Sequence, residues 1–335
     1  LARPATEYAQ MVDVRLEGKT LATRAQYAGI ELFAYTCLAA FEKVYQTEID
    51  SQPVVVARLP EGVREVELTV AFSFTSAENA EQYYNSGLQP FASATLDAAS
   101  AWDTALNVLD CDGGEREKRL LYTCLYNAQK KPVDISHENF FNNADTMYTE
   151  IATMWDMYKT ALPFLALFYP DRYRDLINGL LSLAEDQDGR FSVCVLLEKR
   201  LDRNAVQARS LAHNLIMTAY NYKIDGIDYR RALGLMVLDL ERTDLKDTRN
   251  THLLDLADAC WFTASLAGAL GELGIYERFM QRAKLWREAF DDKEGVLKHG
   301  EGYPYYEGTH WNYSFRLSPY IKDRIALCGA DCFEA

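Results

Sequence analysis

The chain has 335 residues, 49% hydrophobic and 25% charged, enough for one large domain, or a small domain joined to a medium one, around a substantial core. Its formal net charge of -14 disfavours a nucleic-acid partner, because phosphate binding needs clustered Lys and Arg to release counterions. No apolar run approaches the roughly 18 residues of a membrane helix; the longest, residues 161–170, contains Pro163, and no membrane span is expected.

Strand-like runs come first. VDVRL (12–16), PVVVARL (53–59) and REVELTVAFSFTS (64–76) are separated by Gly and Pro, and the alternation in VELTVAFSF marks a half-buried strand. Residues 1–76 are therefore expected to form a β-rich segment. From residue 77 apolar residues recur at spacings of three and four, in runs covering 78–86, 90–109, 115–129, 149–168, 173–187, 205–222, 228–242, 251–274 and 275–290. Residues 77–335 thus read as eight or nine helices joined by loops of varied length. No strand alternates with them, so antiparallel helix pairs around a common centre are expected rather than a parallel α/β sheet.

The seven cysteines are scattered with no CxxC pair, which argues against zinc; the thiols of CGADC (328–332) read as buried free cysteines. His213 reads as a satisfied helix histidine, and His137, His252 and His299 have no metal or triad spacing. KRLDRNAVQAR (199–209) reads as a solvated helix edge. The stretch YPYYEGTHWNYSFR (303–316) sets six aromatic rings around Glu307 and His310. Its Asn312-Tyr313-Ser314 fits the glycosylation pattern, but its place within the E-G-x-x-W-x-Y segment argues for burial.

Six segments in order, VAFSFTSAENAEQYY, SAWDTALNVL, LLYTCLYNAQKKP, MWDMYKTALPFLALFYPDRYRDLINGLL, LDLADACW and YYEGTHWNYSFR, resemble glycoside hydrolase family 92, the calcium-dependent exo-α-mannosidases. The resemblance covers about residues 60–335. It implies a mainly α fold: a partial (α/α)6 toroid with its sugar site at the mouth, preceded by the end of a β-sandwich. A full toroid takes twelve helices, so the expectation is a chain that stops inside the domain.

By resemblance, the general acid falls on Asp255, an Asp where the family has Glu, and the following Asp pair becomes Ala259 and Cys260. Inverting hydrolysis also needs a carboxylate base, and no counterpart of the family's base segment precedes Ala335, where Asp331 and Glu334 stand instead. Trp155 and Asp156, with His310 and Trp311, are the implied sugar contacts, an indole for the ring face and a carboxylate for hydroxyls. Glu307 and Asn312 are the implied calcium ligands, a cation that takes six to eight oxygens. GRFSVCVLL (189–197) has lost the Pro and Trp of a pocket loop, and ERTDLKDTRN (241–250) is a reduced one.

Two functions follow. One is a divergent α-mannosidase-like domain, catalytically impaired or inactive, serving as a structural or carbohydrate-binding subunit. The other is an active, calcium-dependent inverting α-mannosidase whose base lies beyond residue 335. The expected partners are a mannose-containing glycan and other protein chains, which would cover helix faces that a partial toroid leaves bare. The resemblance alone favours an extracytoplasmic setting.

Overall fold

The structure is a computed structural model that describes residues 9–27, 29–49, 52–141, 146–151, 154–197, 210–243, 249–299, 305, 308–316 and 319–330. The chain divides into two compact units, residues 1–142 with 197–200, and residues 143–196 with 201–335.

In the first unit, β1 (Ala9–Glu17), β2 (Thr20–Tyr27) and β3 (Ile30–Cys37) form an antiparallel meander. The β1–β2 loop is only Gly18 and Lys19, and Gly18 takes φ +62°, a conformation that L side chains rarely adopt. β4 (Lys43–Ile49) and β5 (Gln52–Arg58) make a separate hairpin, and β6 (Val70–Ser73) closes the first sheet in the order β1-β2-β3-β6. The strand expected over 64–76 is therefore only four residues long. Leu68 and Val63 are exposed and pair with no neighbouring strand, so alternation there has no half-buried surface to serve.

Just after β6, the buried Glu138 carboxylate accepts from Ser73 Oγ at 2.9 Å and from the Phe74 amide at 2.5 Å, which fixes the turn into α1 (Ala77–Gly87). Ser76 caps that helix by accepting from the Asn79 amide at 3.0 Å. α2 (Phe91–Leu106) and α3 (Glu115–Gln129) complete this unit's helices.

The second unit is helical: α4 (Met154–Met157), α5 (Ala161–Phe168), α6 (Pro170–Asp186), α7 (Ala212–Asn221), α8 (Tyr229–Glu241), α9 (Asn250–Ala269), α10 (Leu273–Ala283), α11 (His310–Ser314) and α12 (Ile321–Cys328). The helix expected over 149–168 is broken in two. Pro163 has no N–H to donate and fits only a first turn, so α5 restarts at Ala161 with Pro163 as its third residue. The predicted helix over 205–222 begins at Ala212 within the described residues, and 199–209 lies outside them.

α9 is the centre of this unit. It is apolar on all sides, fourteen of its twenty residues are buried, and α7, α8 and α10 pack on it. It stops at Gly271, φ +81°, where the Glu272 amide donates back to the Ala267 carbonyl at 2.8 Å and closes the last turn. One end of α9 packs with Trp286, Phe290, Leu297, Tyr305, Tyr313 and Tyr320 in an aromatic cluster, against which Trp155 leans.

Candidate sugar pocket and its buried ion cluster

Two acids stand one turn apart on α9, Asp255 and Asp258, only 4% and 6% exposed. Carboxylates in such a place need partners, since an unpaired buried charge costs several kcal/mol, roughly. Arg316 supplies them. Its Nη1 donates to Asp255 Oδ1 at 2.5 Å and its Nη2 to Asp258 Oδ2 at 2.8 Å, so one planar guanidinium bridges both acids. The side chain of Arg316 is itself only 5% exposed. Burial opposes its charge, but Asp258 and Asp255 more than offset that, and the group stays firmly protonated. Burial pushes the Asp258 carboxyl above its ordinary range, and Arg316 pulls it back. The Tyr320 hydroxyl feels the Asp258 charge, and the Tyr320 ring stacks on Trp286 at 5.0 Å.

Above this cluster lies a pocket of about 390 Å³, lined by Trp155, Tyr158, Lys159, Asn312, Tyr313, Phe315 and Arg316. The Arg316 guanidinium sits 5.1 Å from the Trp155 ring, and the Trp155 indole stacks on Tyr313 at 6.1 Å. Tyr158 is buried, and desolvation pushes its hydroxyl up to about 12, so it remains a neutral donor. Lys159 holds its ammonium over the Tyr158 ring at 5.2 Å, and desolvation followed by the Arg316 charge lowers its proton affinity.

The segment that carries Trp155 is pinned from one side. Ile151 and Val195 exchange backbone hydrogen bonds at 2.9 Å in both directions, and the Met154 amide donates to the Val193 carbonyl at 3.1 Å. The GRFSVCVLL stretch, which by resemblance has lost a pocket loop's Pro and Trp, thus acts as a strut behind α4.

Among the sequence-derived candidates, the fold brings Trp155 and Asn312 together at the pocket and sets Asp255 beneath it. Asp156 and Trp311 are exposed, His310 is half-buried, and none of the three lines the pocket. His310 lies 3.7 Å from His299, ring to ring. Glu307 lies outside the described residues, as do Asp331 and Glu334. Asn312 is exposed, not buried as expected from its neighbours; Tyr313 and Ser314 form the buried side of that turn.

The Asn312 Oδ1 accepts from the Thr309 amide at 3.1 Å and its hydroxyl at 3.0 Å, closing the first turn of α11. That oxygen is engaged rather than offered to a cation, and among the described residues no three His, Cys, Asp or Glu gather as a metal site. Glu307, the other ligand that the resemblance implies, lies outside the described residues.

Arg316 and Asp258 are the members of this cluster that the sequence did not single out. The signal was present: two acids at positions i and i+3 of a helix apolar on every face require a cation, and Arg316 directly follows the aromatic run.

The glycosyl hydrolase family 92 catalytic-domain model matches residues 76–331 of this chain. The chain belongs to glycoside hydrolase family 92. Its fold matches that of a family 92 inverting mannosidase from Bacteroides thetaiotaomicron VPI-5482 with a TM-score of 0.77 at 18% identity, covering 94% of this chain and 52% of that one. An α-mannosidase of the same family from Bacteroides thetaiotaomicron, solved in complex with mannoimidazole, matches with a TM-score of 0.79 at 16% identity, covering 98% of this chain and 52% of that one. No curated protein matches the sequence. At such identities the likeness is one of fold: mainly α, part of an (α/α)6 toroid preceded by the end of a β-sandwich. This family 92 chain spans about half the length of the solved structures it matches. Among its described residues, no helix is long and apolar enough to cross a membrane.

Proposed function

We propose that this family 92 chain binds a mannose-type sugar in the pocket lined by Trp155, Tyr313 and Lys159, and does not hydrolyse it through Asp255. The observation that carries the reading is the Arg316 clamp. A general acid must hold a proton and reach the glycosidic oxygen. Asp255 is 4% exposed, and its Oδ1 accepts from a guanidinium that also holds Asp258. Aspartate is also one methylene shorter than the Glu that the resemblance places there, and a misplacement of about 1 Å costs on the order of 100-fold in rate. Sugar binding asks less of the site. The half-buried Trp155 indole, backed by Tyr313, suits pyranose C–H groups, and Lys159 and Asn312 supply polar contact at the rim.

The second reading, an active calcium-dependent mannosidase whose base lies outside these 335 residues, is supported by the family itself. Calorimetric titration with methyl α-mannoside and hydrolysis of an aryl α-mannoside, each with calcium and with chelator, separate the two. Binding that Trp155→Ala weakens at least tenfold, without turnover, is expected. Turnover that calcium supports and Asp255→Asn abolishes would establish the second reading instead, and absence of binding in every condition sinks the first. Association with another chain belongs to the same proposal, since Phe91 and Leu96 of α2 are 69% and 72% exposed.

A further inference from the structure

The strut behind Trp155 leads to a histidine. His213 on α7 is fully buried, and both of its ring nitrogens face backbone carbonyls, Nδ1 the Ser210 oxygen at 3.0 Å and Nε2 the Met236 oxygen at 3.1 Å. A neutral imidazole has one proton for these two acceptors, and its bare nitrogen would press a lone pair against a carbonyl oxygen. A carboxylate stands beside the ring, Asp239 Oδ2, 3.8 Å from Nε2. The other oxygen of Asp239 accepts from the Phe191 amide at 3.1 Å, and the Phe191 ring meets the imidazole edge-on at 5.6 Å. Phe191 opens the stretch whose Val193 carbonyl holds the Met154 amide and whose Val195 pairs with Ile151. Hydrogen bonds joined by short stretches of backbone thus link α7, through α8 and residues 191–195, to the helix that carries Trp155.

Burial is the largest influence on His213 and draws its proton affinity down, while Asp239 and the two carbonyls draw it up. Asp239 is itself drawn up by burial and held down by His213, the Phe191 amide and Arg190. Among the described residues Asp239 and Arg190 are the charged groups acting on this pair. Burial thus favours the neutral ring, while two acceptors call for two donors, so uptake of the second proton completes a hydrogen bond that the neutral ring leaves unmade.

We propose that His213, on taking up its second proton, pairs with Asp239, and that the pair is a positioning latch that sets the Trp155 wall of the pocket. The sign follows. Burial holds the folded affinity below the free value of about 6.5, so the latch forms only as pH falls below that value and is lost as pH rises through the folded midpoint. The purpose of the latch rests on the proposed sugar pocket; its existence does not.

The test is nuclear magnetic resonance on the whole chain with ¹⁵N label, following the His213 ring nitrogens and the Trp155 indole N–H from pH 5 to 9. Both His213 nitrogens are expected in the protonated range only at the acid end, and the Trp155 signal should move with the same midpoint. Asp239→Asn should weaken proton binding by His213 at least tenfold, and His213→Gln should leave the Trp155 signal independent of pH. A purely structural histidine would disturb Trp155 without removing that pH response. One bare ring nitrogen still present at pH 5, or a Trp155 signal that ignores the His213 titration, overturns the latch. If His213→Gln does not fold, Asp239→Asn carries the decision, and an unmoved His213 midpoint in it overturns the proposal. A coupled titration in a chain that binds no methyl α-mannoside would leave the latch standing and remove the proposed function.

Discussion

Arg316 holds two acids at once, and the cost of losing it is set by what it leaves behind. Arg316→Ala would strand Asp255 and Asp258 inside the aromatic end of α9, and breaking a buried pair by removing one partner costs about 3–5 kcal/mol. Arg316→Lys should recover only part of this, because an ammonium cannot meet two carboxylates in one plane. The pH dependence has a definite sign. Burial raises the Asp258 carboxyl, and without Arg316 nothing comparable pulls it down, so its ionisation opposes folding above the unfolded value of about 3.9. The gap between wild type and Arg316→Ala should therefore be largest near neutral pH and narrow toward acid. Urea unfolding at pH 7 and pH 5 measures it, and a gap that widens toward acid contradicts the assignment. At this scale the sequence pointed to Trp155, Asp255 and Asn312 through resemblance. It did not point to Arg316, whose role arises only when α9 and the segment after α11 meet, 58 and 61 residues apart.

Helices were legible wherever the apolar period ran uninterrupted, as over α6, α8 and α9, and least legible where one residue redirected the chain. Pro163 split a run that reads as a single helix, and the unpaired strand before β6 shortened because a strand needs a neighbour more than an alternating pattern. Gly179 is a case where close approach, not propensity, set the residue. A Cβ built there would stand 2.8 Å from the Thr146 carbonyl oxygen, a backbone atom that cannot swing aside. Alanine is the better helix former by roughly 0.8–1.0 kcal/mol, whereas overpacking of this kind costs about 1–3 kcal/mol. Gly179→Ala is thus expected to destabilise the chain, by a net cost of up to about 2 kcal/mol read from the shift in urea midpoint. A stabilised variant would show that α6 is not seated on Thr146 in this way.

Across the whole molecule the two units differ in what holds them. In the first, the buried apolar residues are few, chiefly Ile30, Leu38, Ala80, Leu125, Ile135 and Phe140, and α2 buries none of its sixteen residues. A helix of that length is marginal in water without an apolar face to bury. The second unit encloses α9 between two apolar clusters that include Leu253, Leu254, Leu256, Phe279, Trp286 and Phe290. Since hydrophobic stabilisation scales with the apolar area removed from water, the first unit should unfold first, and one transition should not describe the chain. Trp102 reports on the first unit, where it packs against Tyr126 at 4.4 Å, and Trp286 reports on the second, where it is 3% exposed. Fluorescence from variants that keep one of these tryptophans should show the Trp102 transition at lower urea, by about 1 M or more for a difference of a few kcal/mol. Superimposable transitions would contradict the expected difference in stability between the two units.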